Sequence, residues 1–200
     1  MLTPATPQCR HPLETVIPAW DRYVSTVDSF AAVRLGALFT KMGKEYTLRG
    51  GRTTSLADLR QEPAVLIGAF NNEWSLRETG QLRFHFERSN GAFFVRDRLH
   101  PTNSAWHVQT DSEQPRIQTD YAIVSRVYDR ATDHAVVIAG GIKGGGTQAA
   151  AEFLTNANHL KAALKNAPRG WKDKNLQFVL STKTYSGTAG PPQVVAAHYW

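Results

Sequence analysis

The 200-residue chain has little with which to staple itself or to bind a soft metal. It carries one cysteine, Cys9, and two methionines. A lone cysteine closes no disulfide within the chain, so cysteine usage identifies no redox compartment. Long apolar runs are also missing: none approaches the ~20 residues that a membrane helix needs. The opening "MLTPATPQCRHPLE" lacks the continuous apolar stretch of a secretory signal. These absences make the segment soluble as written, with no membrane contact of its own. The seven histidines form no H-E-x-x-H spacing and there is no C-x-x-C, while His100 and His107 merely flank a proline-containing loop. No metal and no cofactor are therefore expected. A G-x-S-x-G elbow is absent as well: Ser125 falls inside a strand pattern and Ser186 in a hairpin. A serine hydrolase using His134 or His198 gets no support from spacing. Acidic residues are outnumbered 17 to 23, giving a net charge of +6. The basic residues are scattered, and even Lys161, Lys165, Arg169, Lys172 and Lys174 are interrupted by other types. That is the pattern of a solvated surface, and it predicts no nucleic-acid binding by this segment.

What is present is ordinary globular material, 42% hydrophobic and 20% charged. Residues 1–18 hold four prolines and little periodicity and read as a flexible tail; residues 19–200 read as one domain. "DSFAAVRLGALFTKMG" has helical spacing from a cap at Asp28 or Ser29 to a stop at Gly43, and "EYTLR" reads as a short strand. "SLADLRQE" begins with a capping-box pattern and ends at Pro63. "PAVLIGAF" is a continuous apolar run, as expected of a core strand covered on both faces. "RFHFER" and "AFFVRD" alternate about Ser89-Asn90-Gly91, a hairpin signal, and residues 98–118 read as a long polar loop. "DYAIVSRVYD" and "HAVVIAGGI" are further strands. The helix "TQAAAEFLTNANHLKAALKNA" is expected to bend near Asn156, and "NLQFVLSTKTYS" with "PQVVAAHYW" to close the chain as a hairpin. The order predicts an α/β fold: a three-layer mixed sheet with helices on both faces, Rossmann-like in its first half and antiparallel later.

"GGIKGGGT", residues 140–147, puts five glycines ahead of a helix. It fails as a Walker loop, because Gly146 stands where lysine belongs and Lys143 lies three residues early. Gly144, Gly146 and Ala149 satisfy G-x-G-x-x-A, yet the next strand lacks the acid that a dinucleotide ribose requires. Two readings remain. In one, free backbone N–H groups at Gly141, Gly144, Gly145 and Gly146, with Thr147 as cap, bind an anion. In the other, glycines serve a tight strand-to-helix turn. "GAFNNEW" is the second candidate: Asn71 and Asn72 follow a strand end, where α/β sheets bind ligands, and Trp74 offers a stacking face. Helix capping is the plainer role for both asparagines. If the strands near 64–69 and 134–140 are parallel neighbours, the asparagines and the glycine loop share one rim. Asp120 and Tyr121 open a strand, where an acid is either a turn residue or part of a site.

Three stretches, "SLADLRQEPAVLIGAFNNEWSLRETGQLRFHFE", "DYAIVSRVYDRATDHAVVIAGGIKGGGTQAAAEFL" and "PPQVVAAHYW", resemble a poorly characterised bacterial domain family frequent in Acidobacteria. The resemblance covers about residues 28–200. In that family the domain often lies C-terminal to a winged helix-turn-helix domain and a single membrane span. The resemblance implies a sensor or signal-receiving part of a membrane-tethered regulator, placed outside the cytoplasm; a stand-alone chain would be cytoplasmic. It supplies no catalytic residues.

The sequence therefore leads to a ligand-sensing α/β domain that binds a small polar or anionic molecule without turnover. Its site is expected at Asn71, Asn72, Trp74, Asp120, Gly141, Gly144, Gly145, Gly146 and Thr147. The alternative is a small ester or lactone hydrolase, or a nucleotide-using enzyme. The aromatic-ended strand "QVVAAHYW" leaves a homodimer open.

Overall fold

A computed structural model describes residues 24–109 and 117–200. The tail expected at residues 1–18, with Cys9, lies outside the described residues. The chain is α/β, with one mixed six-stranded sheet and a separate antiparallel three-stranded sheet.

Helix α1 (Thr26–Lys41) starts one turn earlier than the sequence suggests, with Ser25 as cap. Gly43, at φ +65°, lies just past its end. It buries Ala31, Leu35 and Gly36 and lies against the alanine-rich α4 (Gly144–Thr155). The helical spacing of Phe30 and Val33 therefore marks the wrong face: both are exposed. "EYTLR" forms no strand. A strand needs a ladder partner, and Tyr46 instead lies over α1, against Gly36 and 5.9 Å from the Phe39 ring. Helix α2 (Leu56–Leu59) carries the expected capping box between Ser55 and Asp58.

Strand β1 (Ala64–Ile67) pairs in parallel with β6 (His134–Gly141), placing Ala64 beside Val136 and Ile67 beside Ala139. The sheet order is β1-β6-β5-β7-β8, where β5 is Ile117–Asp129, β7 is Leu176–Tyr185 and β8 is Thr188–Ala189; β9 (Gln193–Tyr199) also pairs with β7. All pairs but β1–β6 are antiparallel. Among the described residues β1 is thus an edge strand, a correction to the core position expected of "PAVLIGAF". Within it only Leu66 is fully buried. The apolar run continues because Gly68 and Ala69 are buried where the chain leaves the strand.

Alternate residues of the central strands feed two cores, as a period of two requires. Ala122, Val124, Ala139, Leu176, Phe178 and Leu180 pack with Ala150 and Phe153 of α4. Helix α5 (Ala157–Leu164) adds Leu160 and Leu164 to the same cluster. The helical stretch breaks at Asn156 rather than bending: its backbone is extended and its side chain caps α5. On the other face, Ile123 and Val179 meet the small sheet of β2 (Phe84–Ser89), β3 (Ala92–Asp97) and β4 (His107–Gln109). The β2–β3 turn follows the sequence signal, with Asn90 and Gly91 both at positive φ. β4 lies within the stretch expected to be loop, paired with β3 and holding buried Val108; residues 110–116 of that stretch lie outside the described residues. Leu66, Val136 and Ile138 form a third cluster with Leu59 and with Trp74 of α3 (Glu73–Thr79).

The small sheet is tied to the large one by one buried side chain. Gln177 Nε2 donates to the Phe84 carbonyl at 2.9 Å and to Ser125 Oγ at 3.1 Å, and its Oε1 accepts from the Phe84 N–H at 3.0 Å. The amide satisfies an inner strand edge as a neighbouring backbone would. No helix among the described residues is long and apolar enough to cross a membrane.

Candidate functional site

The parallel β1–β6 pair brings "GAFNNEW" and "GGIKGGGT" to one rim, as the sequence anticipates for neighbouring strands. Gly68 N–H donates to the Ala139 carbonyl at 3.0 Å. A Cβ on Gly140 would come within 2.5 Å of the Gly68 carbonyl oxygen, so the two turns touch backbone to backbone.

At the glycine loop, α4 begins at Gly144 with Lys143 as the cap residue, one turn earlier than the sequence suggests. Part of its N-terminal positive end is occupied from within the chain. Asp120 of β5, only 2% exposed, accepts from the N–H of Gly146 at 2.6 Å and of Lys143 at 3.2 Å, and also from Tyr121 at 2.8 Å. A carboxylate at this point satisfies N–H groups that would otherwise lack partners and meets the favourable end of the helix dipole. Burial pushes the Asp120 carboxyl above the usual carboxylate range; the three N–H donors and the Lys143 charge pull it down only in part. Thr147 is not the cap. Its hydroxyl accepts from the Gly141 N–H at 3.0 Å, tying strand end to first helical turn. The glycines are needed for close approach: a Cβ on Gly146 would lie 2.5 Å from the Tyr121 carbonyl oxygen, and one on Gly145 would enter the Thr184 methyl.

Asn72 is likewise engaged. Its Oδ1 accepts from Trp74 N–H at 3.1 Å and Ser75 N–H at 3.3 Å, capping α3, and its Nδ2 donates to the Ile67 carbonyl at 2.9 Å. Trp74 Nε1 donates to the carbonyls of Thr54 and Gly51, and Arg77 lies 5.2 Å from its ring centroid. Asn71 differs: it is exposed, and its Nδ2 donates to Asp28 of α1. Burial raises the Asp28 pKa, with the Asn71 hydrogen bond opposing. Val27 lies against Gly144, so the first turn of α1 spans the rim.

Sequence reasoning missed the side chains that give this rim its charge. Lys143 Nζ lies 5.4 Å from the Phe93 ring centroid and Arg88 Cζ 5.3 Å from the same ring, while Phe70 packs 4.6 Å from it. Two cations thus share one aromatic ring, which packs on Phe70, the chain neighbour of Asn71. No local pattern marks Phe93 or Arg88, because they reach the rim only when the hairpin docks on the large sheet. Of the catalytic candidates considered from sequence, Ser125 and His134 have other partners. Ser125 is fully buried and bonded to Gln177, and His134 Nε2 lies 3.1 Å from the Arg60 carbonyl. Among the described residues, no group of three or more His, Cys, Asp or Glu is gathered as metal ligands are.

Comparison with family models, curated proteins and solved structures gives no match to this chain.

Proposed function

We propose that this is a signal-receiving α/β domain that binds a small anionic molecule at the β1–β6 rim and does not turn it over. One observation carries the reading: Lys143 and Arg88 both lie over the Phe93 ring, which packs on Phe70, the chain neighbour of exposed Asn71, at the strand ends where α/β sheets hold ligands. The backbone N–H groups of Gly146 and Lys143 already serve Asp120 and that of Gly141 serves Thr147, so the side chains are the main recognition groups. The anion pairs with the two cations, an amide donor from Asn71 orients it, and the Phe70–Phe93 pair supplies an apolar wall. The first turn of α1, bonded to Asn71 through Asp28, is the element positioned to respond. Membership of the acidobacterial-type family, with a three-layer Rossmann-like arrangement and a place in a membrane-tethered regulator, belongs to the same proposal.

Calorimetric titration with orthophosphate, citrate and AMP at low and high salt tests it. At least one anion binds, more weakly at high salt. Lys143→Gln and Arg88→Gln each weaken that binding about tenfold, the equivalent of ~1.4 kcal/mol. Equal binding by wild type and both variants would place the site elsewhere; no binding by any anion would remove the proposal.

A further inference from the structure

The two ends of the large sheet are guarded differently. β1 is four residues long and follows Glu62-Pro63, devices that discourage pairing with another chain. β9 is seven residues long and pairs with β7, and among the described residues no strand pairs with its outer side. From Gly187 to Trp200 there is no Asp, Glu, Lys or Arg. In a chain of net charge +6, this uncharged strand is where two copies can approach without like-charge repulsion. Val194, Val195 and Trp200 are exposed along it.

The ladder fixes which backbone groups are free. Asn175 and Trp200 exchange both N–H···O bonds, at 2.9 and 3.2 Å. Alternation in an antiparallel pair then directs His198, opposite Gln177, inward as well. Ala197 and Tyr199 turn their N–H and C=O groups outward. The register slips at Val195, which ends the regular edge on that side.

We infer that the chain forms a homodimer by antiparallel β9–β9 pairing about a two-fold axis at His198. In that register Ala197 pairs with the partner's Tyr199 and Tyr199 with the partner's Ala197, giving four backbone hydrogen bonds from the two outward residues of each copy. Trp200 comes opposite the partner's Ala196, whose small side chain leaves room for the indole. Trp200 is held for this contact by stacking on His198, with ring centroids 5.0 Å apart and planes 15° apart. The interface is isologous, so it closes at two copies and does not propagate.

Sedimentation velocity of the 200-residue chain across a concentration series tests the pairing. Wild type approaches twice the monomer mass as concentration rises. Ala197→Pro removes an outward N–H that β7 does not use, and the variant stays monomeric with an unchanged circular dichroism spectrum. Should the proline variant fail to fold, Ala197→Lys places like charges across the axis at an exposed position and also gives a monomer. In a Cys9→Ser background, His198→Cys oxidises to a covalent dimer and Ala197→Cys does not. The first pair faces across the axis, whereas the second lies beyond the ~7 Å Cα separation that a disulfide tolerates. A wild-type monomer at every concentration would overturn the inference. So would a folded Ala197→Lys variant that remains dimeric, or equal cross-linking of the two cysteine variants.

Discussion

Helices α3 and α4 both begin at the rim, and they are capped in opposite ways. The α3 cap is local: Asn72 reaches forward two and three residues and serves a seven-residue helix. The α4 cap is remote. Asp120 comes from β5, more than twenty residues earlier, is buried, and bonds the Lys143 and Gly146 N–H groups together with its own neighbour Tyr121. A local cap fixes the end of a helix. A remote, buried cap also fixes where that helix lies on its sheet, and it demands glycine, because only bare backbone can come close enough to the strand. The glycine-rich loop is therefore an anion site whose anion is the chain's own carboxylate.

The largest predicted effect is at the loop itself. Gly146→Val drives side-chain atoms into the Tyr121 carbonyl, which backbone on both sides holds in place. We expect a loss of about 4 kcal/mol or more, enough to abolish the unfolding transition in a marginal domain. A urea-denaturation midpoint near wild type would show that the loop is looser than described. This substitution therefore reports on folding and not on ligand binding.

Asp120→Ala comes next. It leaves the Gly146 and Lys143 N–H groups buried or half-buried without their acceptor, for about 3 kcal/mol. Asp120→Asn, which retains one acceptor oxygen, costs less. The same denaturation experiment ranks the two.

How much of this was legible in the sequence follows from the same contrast. The Ser55–Asp58 box, the Asn90-Gly91 turn and the β7–β9 hairpin were readable because their partners lie within a few residues or along a regular alternation. Parallel pairing of the strands near 64–69 and 134–140 was anticipated conditionally, from what each strand feeds into. The Asp120 cap was not legible: an acid at a strand entrance has the same local pattern whether it faces water or a helix start. Nor was the edge position of β1, since an apolar run records burial and not place in the sheet order. Tyr46 shows the converse error, where β-forming residues in "EYTLR" found a helix face and no ladder. Arg88 and Phe93 are cross-strand partners within the β2–β3 hairpin, but Lys143 joins them only when that hairpin docks, so the shared charge at the rim had no sequence signature.

Smaller effects sharpen the comparison. Asn72→Ala removes a half-buried local cap and should cost about 1 kcal/mol, roughly a third of the Asp120→Ala loss. Equal losses would mean that burial and remoteness add nothing. Smallest is a difference in pH dependence. The folded-state pKa of Asp120 lies above its unfolded value, so the folded chain retains a proton that the unfolded chain has released. Stability from this group is therefore present below the ordinary carboxylate range and declines as pH rises through the raised value. Asp97 has the opposite sign, because its bidentate bond to Arg83 holds its carboxyl low, and its contribution is lost as pH falls. Asp120→Asn should reduce the decline with rising pH, leaving the shares of Asp28 and Glu78, which burial also raises, and should leave the acid-side loss; Asn72→Ala should alter neither. Thermal melts from pH 3 to about 8 check both.

Amide hydrogen exchange at Gly146 measures the closed start of α4 directly. With its N–H bonded to buried Asp120, Gly146 should exchange as slowly as the β5–β6 core amides, and Asp120→Ala should release it while those core amides remain protected. Rapid exchange at Gly146 in the wild-type chain, or slowing only when an external anion is added, would contradict an Asp120-closed helix start and return the loop to the role of an open anion site.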